Sequence, residues 1–204
     1  MKFFIATKNA HKMQEFKAIF SGTGIDLICE TDLDNALPEP EENGTTFEEN
    51  AIIKAKEGML HTGYPSIADD SGLCVDYLGG KPGIYSARYA GEHGDDAANN
   101  KKLLEELKGV EEEKRTARFV CAIACVFPDG RQFTVNGTVE GRIAEGESGG
   151  GGFGYDPLFI SELGCFGEIP AEQKNSISHR AMAIKEFKKE LKKYIKRWNK
   201  SAYK

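Results

Sequence analysis

The 204-residue chain predicts an α/β fold: a mixed β-sheet flanked by helices and arranged as two lobes. Three observations carry this. "KFFIA", "HKMQEFKAIF" and "IDLICE" run strand, helix, strand from the N-terminus, the start of an alternating α/β pattern. "TFEENAIIKAKEGML" is a second helix with its own start signal. "RTARFVCAIACVF" and "RQFTVNGTVEGRIAE" flank "PDG" as a strand, turn and strand.

Taken in order, Lys2 to Ala6 is an apolar run short enough to be a buried strand. Met13, Phe16 and Phe20 then recur at helical spacing. "DNALPEPEENG" holds two prolines amid acids and reads as a loop. Thr46 followed three residues later by Glu49 is a capping box, and Phe47, Ala51, Ile52 and Ala55 share one face of the helix it opens. "SIADD" and "GLCVDYL" are two short strand candidates, "GGKPGIYSARYAGEHG" an ordered loop, and "DDAANNKKLLEELKG" a helix. After the hairpin, "ESGGGGFGYDPLF" is a glycine-rich loop leading to a strand. "ISHRAMAIKEFKKELKKYIKRW" is one final helix, with Ile184, Phe187, Leu191, Tyr194, Ile195 and Trp198 expected to face the core. No repeat or disordered linker interrupts this order, so residues 1–204 read as a single domain.

Composition narrows the classes. Apolar residues make up 40% and charged residues 29%, a globular balance that excludes a disordered chain. No apolar run approaches the roughly 20 residues of a membrane span. The N-terminal apolar run is too short for a signal peptide, so a cytoplasmic protein is expected. Five cysteines without CxxC spacing predict reduced thiols. Cys121 and Cys125 share a strand face and could pair on a metal, but nothing else with ligand chemistry lies near them, and they read as buried apolar residues. From Lys185 to Lys204, nine Lys/Arg against two Glu give +7, so the net −5 leaves −12 on the rest. This basic helix is a solvated face or, less simply, a nucleic-acid contact; no basic stripe interleaved with aromatics supports the second elsewhere.

Four stretches could carry chemistry. "ATKNAHK" sits at a strand-to-helix junction, where free backbone N–H groups and the helix dipole favour an anion. Thr7 and Asn9 offer hydrogen bonds and Lys8 and Lys12 offer charge, although Asn9 equally suits an ordinary helix cap. The second is acidic: Glu42 with Asp69 and Asp70. Two carboxylates about 4 Å apart repel by roughly 4 kcal/mol at an effective dielectric of about 20. A hard cation such as Mg²⁺, which needs only one or two carboxylates when phosphate oxygens complete its shell, would reverse that. "DDSG" is also good turn chemistry, so a solvated turn stays open. If extended, Asp69 and Asp70 point to opposite sides and have different roles. The third, "GGGGFGYDP", would let a mobile backbone bring an aromatic face and an acceptor to a base, or is a loop whose aromatics close the core. The fourth, "KNSISHR", gathers Lys174, His179 and Arg180 at the start of the last helix, as donors or as a capped helix start.

Together the strings "ATKNAHK", "TFEENAIIKA", "ADDSGLCVDYLGGKPGIYSARYAG", "GGFGYDPLF" and "SHRAMA" resemble one family, the inosine/xanthosine triphosphate pyrophosphatases that remove deaminated purine nucleotides. They stand in the family's order from near residue 5 to near residue 185; Lys8 departs from the Gly or small residue usual there. The resemblance implies an elongated mixed α/β fold with a substrate cleft between two lobes, a homodimer, and Mg²⁺-dependent hydrolysis of non-standard purine nucleoside triphosphates between the α and β phosphates. It implies Asp70 as proton acceptor and metal ligand, Glu42 as the other metal ligand, and Thr7, Lys8, Asn9, Ala10, His11 and Lys12 as the triphosphate segment. Ser71, Phe153, Gly154, Tyr155, Asp156, Lys174, His179 and Arg180 would contact the rest of the substrate.

On that expectation Asp70 takes a proton from the attacking water, Asp69 supports the loop or a second metal, and Lys12 with Lys54 stabilises the leaving pyrophosphate. Donors from His179 or Arg180 would favour a 6-oxo over a 6-amino purine, with Phe153 stacked on the base. Three other classes compete: a pyrophosphatase for modified pyrimidine nucleotides, which the "SHR" and "FGYD" strings oppose; a non-catalytic nucleotide sensor; and a nucleic-acid binder resting on the basic tail alone.

Overall fold

The computed structural model describes residues 2–21, 24–33 and 40–201, with the side chains of His11, Ile19 and residues 195–201 excepted. The strands are β1 (Lys2–Ile5), β2 (Asp26–Ile28), β3 (Ser66–Val75), β4 (Thr116–Val126), β5 (Gln132–Ile143), β6 (Phe159–Ser161) and β7 (Gly164–Cys165). The α-helices are α1 (Ala10–Phe20), α2 (Phe47–Thr62), α3 (Asp96–Glu106), α4 (Ala171–Ile177) and α5 (His179–Ser201). The strands form one sheet in the order β2-β1-β3-β4-β5-β6-β7. β1 runs parallel to β2 and β3, whereas β5, β6 and β7 pair antiparallel, so the sheet is mixed as expected.

The chain divides into two compact units. The first comprises Met1–Asp70, Ala122–Gly137 and Ala181–Lys204, the second Ser71–Cys121 and Thr138–Arg180. In the first unit the alternation of β1 sends Phe3 and Phe4 to opposite faces. Phe4 packs with Ala51 and Ala55 of α2 and with Ala68, Ala122 and Ala124 of the sheet. These small residues let α2 approach closely: a Cβ on Gly58 would lie 2.6 Å from Ser66 Oγ and 2.9 Å from a Phe4 ring carbon. Phe3 meets Phe127 edge-on, and Phe127, Phe133, Phe187 and Tyr194 continue an aromatic cluster beneath α5. Ile184, Phe187 and Leu191 are buried there as the helical spacing predicts, while the side chains of Ile195 and Trp198 lie outside the described residues.

In the second unit Leu73, Val75, Leu103, Leu107, Phe119, Ile143, Leu158, Phe159 and Phe166 form the core. Arg115, only 3% exposed, fixes its edge by donating to three backbone carbonyls: Leu107 at 2.9 Å, Ile143 at 2.8 Å and Ala144 at 2.6 Å.

The structure departs from the sequence reading in three places. The two strand candidates around "DDSG" are one ten-residue strand, and Asp69 and Asp70 sit inside it, not on a turn. Burial along β3 is nearly continuous, so the alternation that marks a half-exposed strand is absent. The loop "GGKPGIYSARYAGEHG" contains a 3₁₀ segment at Gly83–Arg88. The last helix begins two residues later than read, at His179, and a separate helix that the sequence reading did not place, α4, precedes it across Ser178, which adopts ψ 153°. Serine favours such non-helical positions.

Candidate active site

In the first unit, α2 begins as its capping signal requires. The Thr46 side chain accepts the Glu49 N–H, while the Glu49 carboxylate reaches back to the N–H and hydroxyl of Thr45 at 2.7 and 2.8 Å. Fixed in this way, α2 projects Asn50 and Lys54 from one face, one turn apart. Lys54 Nζ lies 2.7 Å from Asp70 Oδ1 and 3.4 Å from Glu42 Oε1. The two expected metal carboxylates therefore converge on a single cationic point. Asp69, on the same strand, pairs with Lys12 at 3.0 Å. The two adjacent aspartates thus have separate partners, as alternation along an extended strand demands.

The electrostatics follow from burial. Desolvation opposes the charge on Lys54, but Asp70, Glu42 and Asp69 outweigh it and hold the ammonium above its usual range. Burial pushes the Asp70 carboxyl above the usual range; Lys54 and Lys12 offset this in part, and Glu42 adds to it. A carboxylate raised in this way is a better proton acceptor than a solvated one.

The segment Thr7 to Lys12 joins β1 to α1. Asn9 caps α1 by accepting the Lys12 N–H at 3.0 Å, and the Thr7 hydroxyl oxygen accepts the Asn9 N–H at 3.2 Å. Lys8, Asn9 and Ala10 are exposed at the helix start, where an anion is favoured. The side chain of His11 lies outside the described residues.

Glu42 and Asp70 fit a hard divalent cation. Both are oxygen donors, both meet one positive centre, and two carboxylates suffice where waters and phosphate complete the shell. Among the described residues no group of three or more His, Cys, Asp or Glu assembles a fuller cage. Cys121 and Cys125 are buried and take part in no disulfide.

The second unit gathers the other predicted residues. Asp156 is 2% exposed; its Oδ2 accepts Lys174 Nζ at 2.6 Å and the Phe153 N–H at 2.9 Å. Lys174 Nζ also lies 4.8 Å from the centre of the Phe153 ring, so one lysine fixes the turn and lies over its aromatic. Gly154 is held at both ends, its N–H on Asp96 at 2.7 Å and its carbonyl on Asn100 at 3.1 Å. Tyr155 is 4% exposed and donates its hydroxyl to the Ser86 carbonyl at 2.9 Å, which places it in the core. The glycine-rich stretch is accordingly tied down, contrary to the mobile backbone read from four consecutive glycines. A Cβ on Gly149 would lie 2.0 Å from Gly167 O, and one on Gly152 2.0 Å from Asp156 Oδ2. Across the break at Ser178, the His179 ring stacks on Phe119 at 4.9 Å and 15°, and the buried Arg180 donates to Ser71 Oγ at 3.3 Å.

Sequence reasoning did not single out Asn50, Phe119, Asp96 or Asn100. A signal existed for the first: a polar residue beside Ala51 on the apolar face of a capped helix. None existed for Phe119, whose neighbours are distant in sequence.

The chain was compared with known proteins. The model of the Ham1 family matches residues 3–190. A dITP/XTP pyrophosphatase of Bacillus licheniformis is 54% identical over 183 residues, 89% of this chain and 93% of that protein. One from Bacillus subtilis is 51% identical over 187 residues, 91% of this chain and 94% of that protein. The structure of the Staphylococcus aureus Ham1 protein superposes with a TM-score of 0.83 at 42% identity, covering 95% of this chain and 100% of that one. A HAM1 protein from Coxiella burnetii superposes with a TM-score of 0.85 at 36% identity, covering 95% and 99%. With the family model spanning nearly the whole chain and close relatives covered almost end to end, the resemblance carried by the five sequence strings is borne out, and the chain belongs to the Ham1 family.

Proposed function

We propose that the protein is a nucleoside triphosphate pyrophosphatase that hydrolyses ITP, dITP and XTP to the monophosphate and pyrophosphate, with Mg²⁺ as cofactor, and so clears non-standard purine nucleotides from the pool. The observation that carries this reading is the convergence of Glu42 and Asp70 on one cationic point, with Asp70 held above the usual carboxylate range. The names of relatives about half identical to this chain support it.

Glu42 and Asp70 would hold the cation. When bound, Mg²⁺ neutralises phosphate charge and acidifies water. The remaining work falls to the chain. Asp70 accepts the proton of the attacking water, a contribution of about 10²- to 10⁴-fold. The exposed turn at Lys8–Ala10 receives phosphate oxygens at the start of α1, and Lys12 and Lys54 stabilise the charge left on pyrophosphate. Phe153, held by Asp156 and Lys174, offers a face to the base. Donors from His179 and Arg180 favour a 6-oxo purine, because adenine would set its amino group against them. Ser71, which follows Asp70 on β3, accepts a hydrogen bond from Arg180 and is assigned a substrate contact.

We further propose a homodimer acting in the cytoplasm. The homodimer rests on the family resemblance. The location is supported by five cysteines outside any disulfide and by the finding that, among the described residues, no helix is long and apolar enough to cross a membrane. Pyrophosphate release from ITP, XTP, GTP and ATP at matched concentration, with and without Mg²⁺, tests the scheme. Release from ITP and XTP that needs Mg²⁺ and exceeds that from GTP and ATP is expected. Equal rates on all four, or undiminished rates in chelator, would refute it.

A further inference from the structure

Asn50 is a fully buried amide on a helix face otherwise made of Ala51, Ala55 and Gly58. Burying an amide is unfavourable unless its hydrogen bonds are kept. Both of its ends are used. Its Oδ1 accepts the Gly44 N–H at 2.9 Å. Its Nδ2 donates to Asp70 Oδ2 over a longer 3.4 Å, while Lys54, four residues on, takes the other carboxylate oxygen. Two donors from one helix thus bracket the Asp70 carboxylate and set its plane.

Gly44 belongs to the same loop as Glu42 and is seated directly on Asn50. A Cβ added to Gly44 would lie 2.6 Å from Asn50 Oδ1 and 2.8 Å from Glu49 Cβ. One side chain therefore touches both the strand that carries Asp70 and the loop that carries Glu42. The residue type matters. Aspartate would keep the Gly44 contact but set a second carboxylate against Asp70. Leucine would leave the Gly44 N–H without its partner and remove the donor to Asp70. Glutamine is one methylene too long for both contacts at once.

We propose that Asn50 is a positioning residue that holds the Asp70 carboxylate and the Glu42 loop in register to receive one divalent cation. The proposal rests on the reading that these two carboxylates bind that cation. Outer partners of metal-binding carboxylates characteristically change metal affinity or activity by about 10- to 100-fold when removed.

The test is Mn²⁺ binding to the nucleotide-free protein by electron paramagnetic resonance, with thermal unfolding of the metal-free protein and steady-state kinetics on ITP alongside. Asn50→Ala is expected to weaken Mn²⁺ binding about 10- to 100-fold and to lower kcat with little change in KM for ITP. Gly44→Ala, whose Cβ would press on Asn50 Oδ1 and disturb the seat of the loop on Asn50, is expected to weaken Mn²⁺ binding while the protein stays folded. A folded Asn50→Ala protein that binds Mn²⁺ within about twofold of wild type overturns the proposal, whatever its melting temperature. If Asn50→Ala does not fold, Gly44→Ala binding within about twofold overturns it instead. Wild-type protein that binds no Mn²⁺ overturns the carboxylate–cation reading itself, a result distinct from either.

Discussion

Replacing Lys174 with methionine removes one charge from a buried pair while keeping most of the side chain's volume. Lys174 and Asp156 are 7% and 3% exposed at their side chains and 2.6 Å apart. At an effective dielectric of about 20 their gross attraction is roughly 6 kcal/mol, much of it offset by the desolvation of both groups. What the variant removes is the ammonium 2.6 Å from a desolvated carboxylate, a loss of about 3–5 kcal/mol. Asp156 cannot escape to solvent, because its Oδ2 is also bound by the Phe153 N–H and Gly152 closes over it. Asp156→Asn removes the other charge of the pair and should lose a similar amount. The double variant, with neutral groups at both positions, should lose only about 1 kcal/mol, a coupling well above the few tenths expected of independent sites. Urea unfolding of the four proteins at pH 7 measures the cycle. A Lys174→Met protein within about 1 kcal/mol of wild type, or a double variant as unstable as the two singles summed, would refute the reasoning.

Asp70→Asn should lower pyrophosphate release from ITP by at least about 100-fold while leaving the circular dichroism spectrum unchanged; near-wild-type turnover would remove Asp70 from its assigned role. Arg115→Met should cost at least about 3 kcal/mol in urea unfolding, since three backbone carbonyls, two of them buried, lose a charged donor together; a loss under 1 kcal/mol would show that they find other donors. The Thr116 hydroxyl, at 2.7 Å, and then the Arg118 guanidinium hold the Asp76 carboxyl below its usual 3.8. Because the folded value is depressed, the stability this contributes is present above pH 3.8 and is lost as pH falls through the folded value. Thr116→Val should raise the Asp76 midpoint in an NMR titration; an unmoved midpoint would assign the depression to another cause.

How far the sequence could be read depended on how local the determining physics was. β1, α1 and the capped α2 follow from short-range signals, and the DG turn places β4 and β5 side by side. β3 was divided because its burial on both faces erases alternation, and because "DDSG" has every local mark of a turn. What keeps it extended is distant in sequence: Lys12, Asn50 and Lys54 take up the two carboxylates. α4 is likewise hidden, since Ala171–Ile177 carries no apolar spacing of helical period. The candidate residues were legible as types, but their partners were not. That Lys12 would pair with Asp69, or that Tyr155 would turn its hydroxyl to Ser86, depends on neighbours no spacing rule connects.

Four consecutive glycines look interchangeable on paper, yet natural selection would see each of them differently. Gly149 and Gly152 have positive φ and sit where any side chain would strike the Gly167 carbonyl or Asp156. Gly151 is tight against that same carbonyl, whereas nothing lies within 4 Å of a Cβ on Gly150. A saturation library across Gly149–Gly152 should therefore return an uneven pattern, permissive at Gly150 and closed at Gly149 and Gly152. In such a run, repetition of one residue type records two exclusions, one tight fit and one freedom, and only Gly150 is fully open to neutral drift.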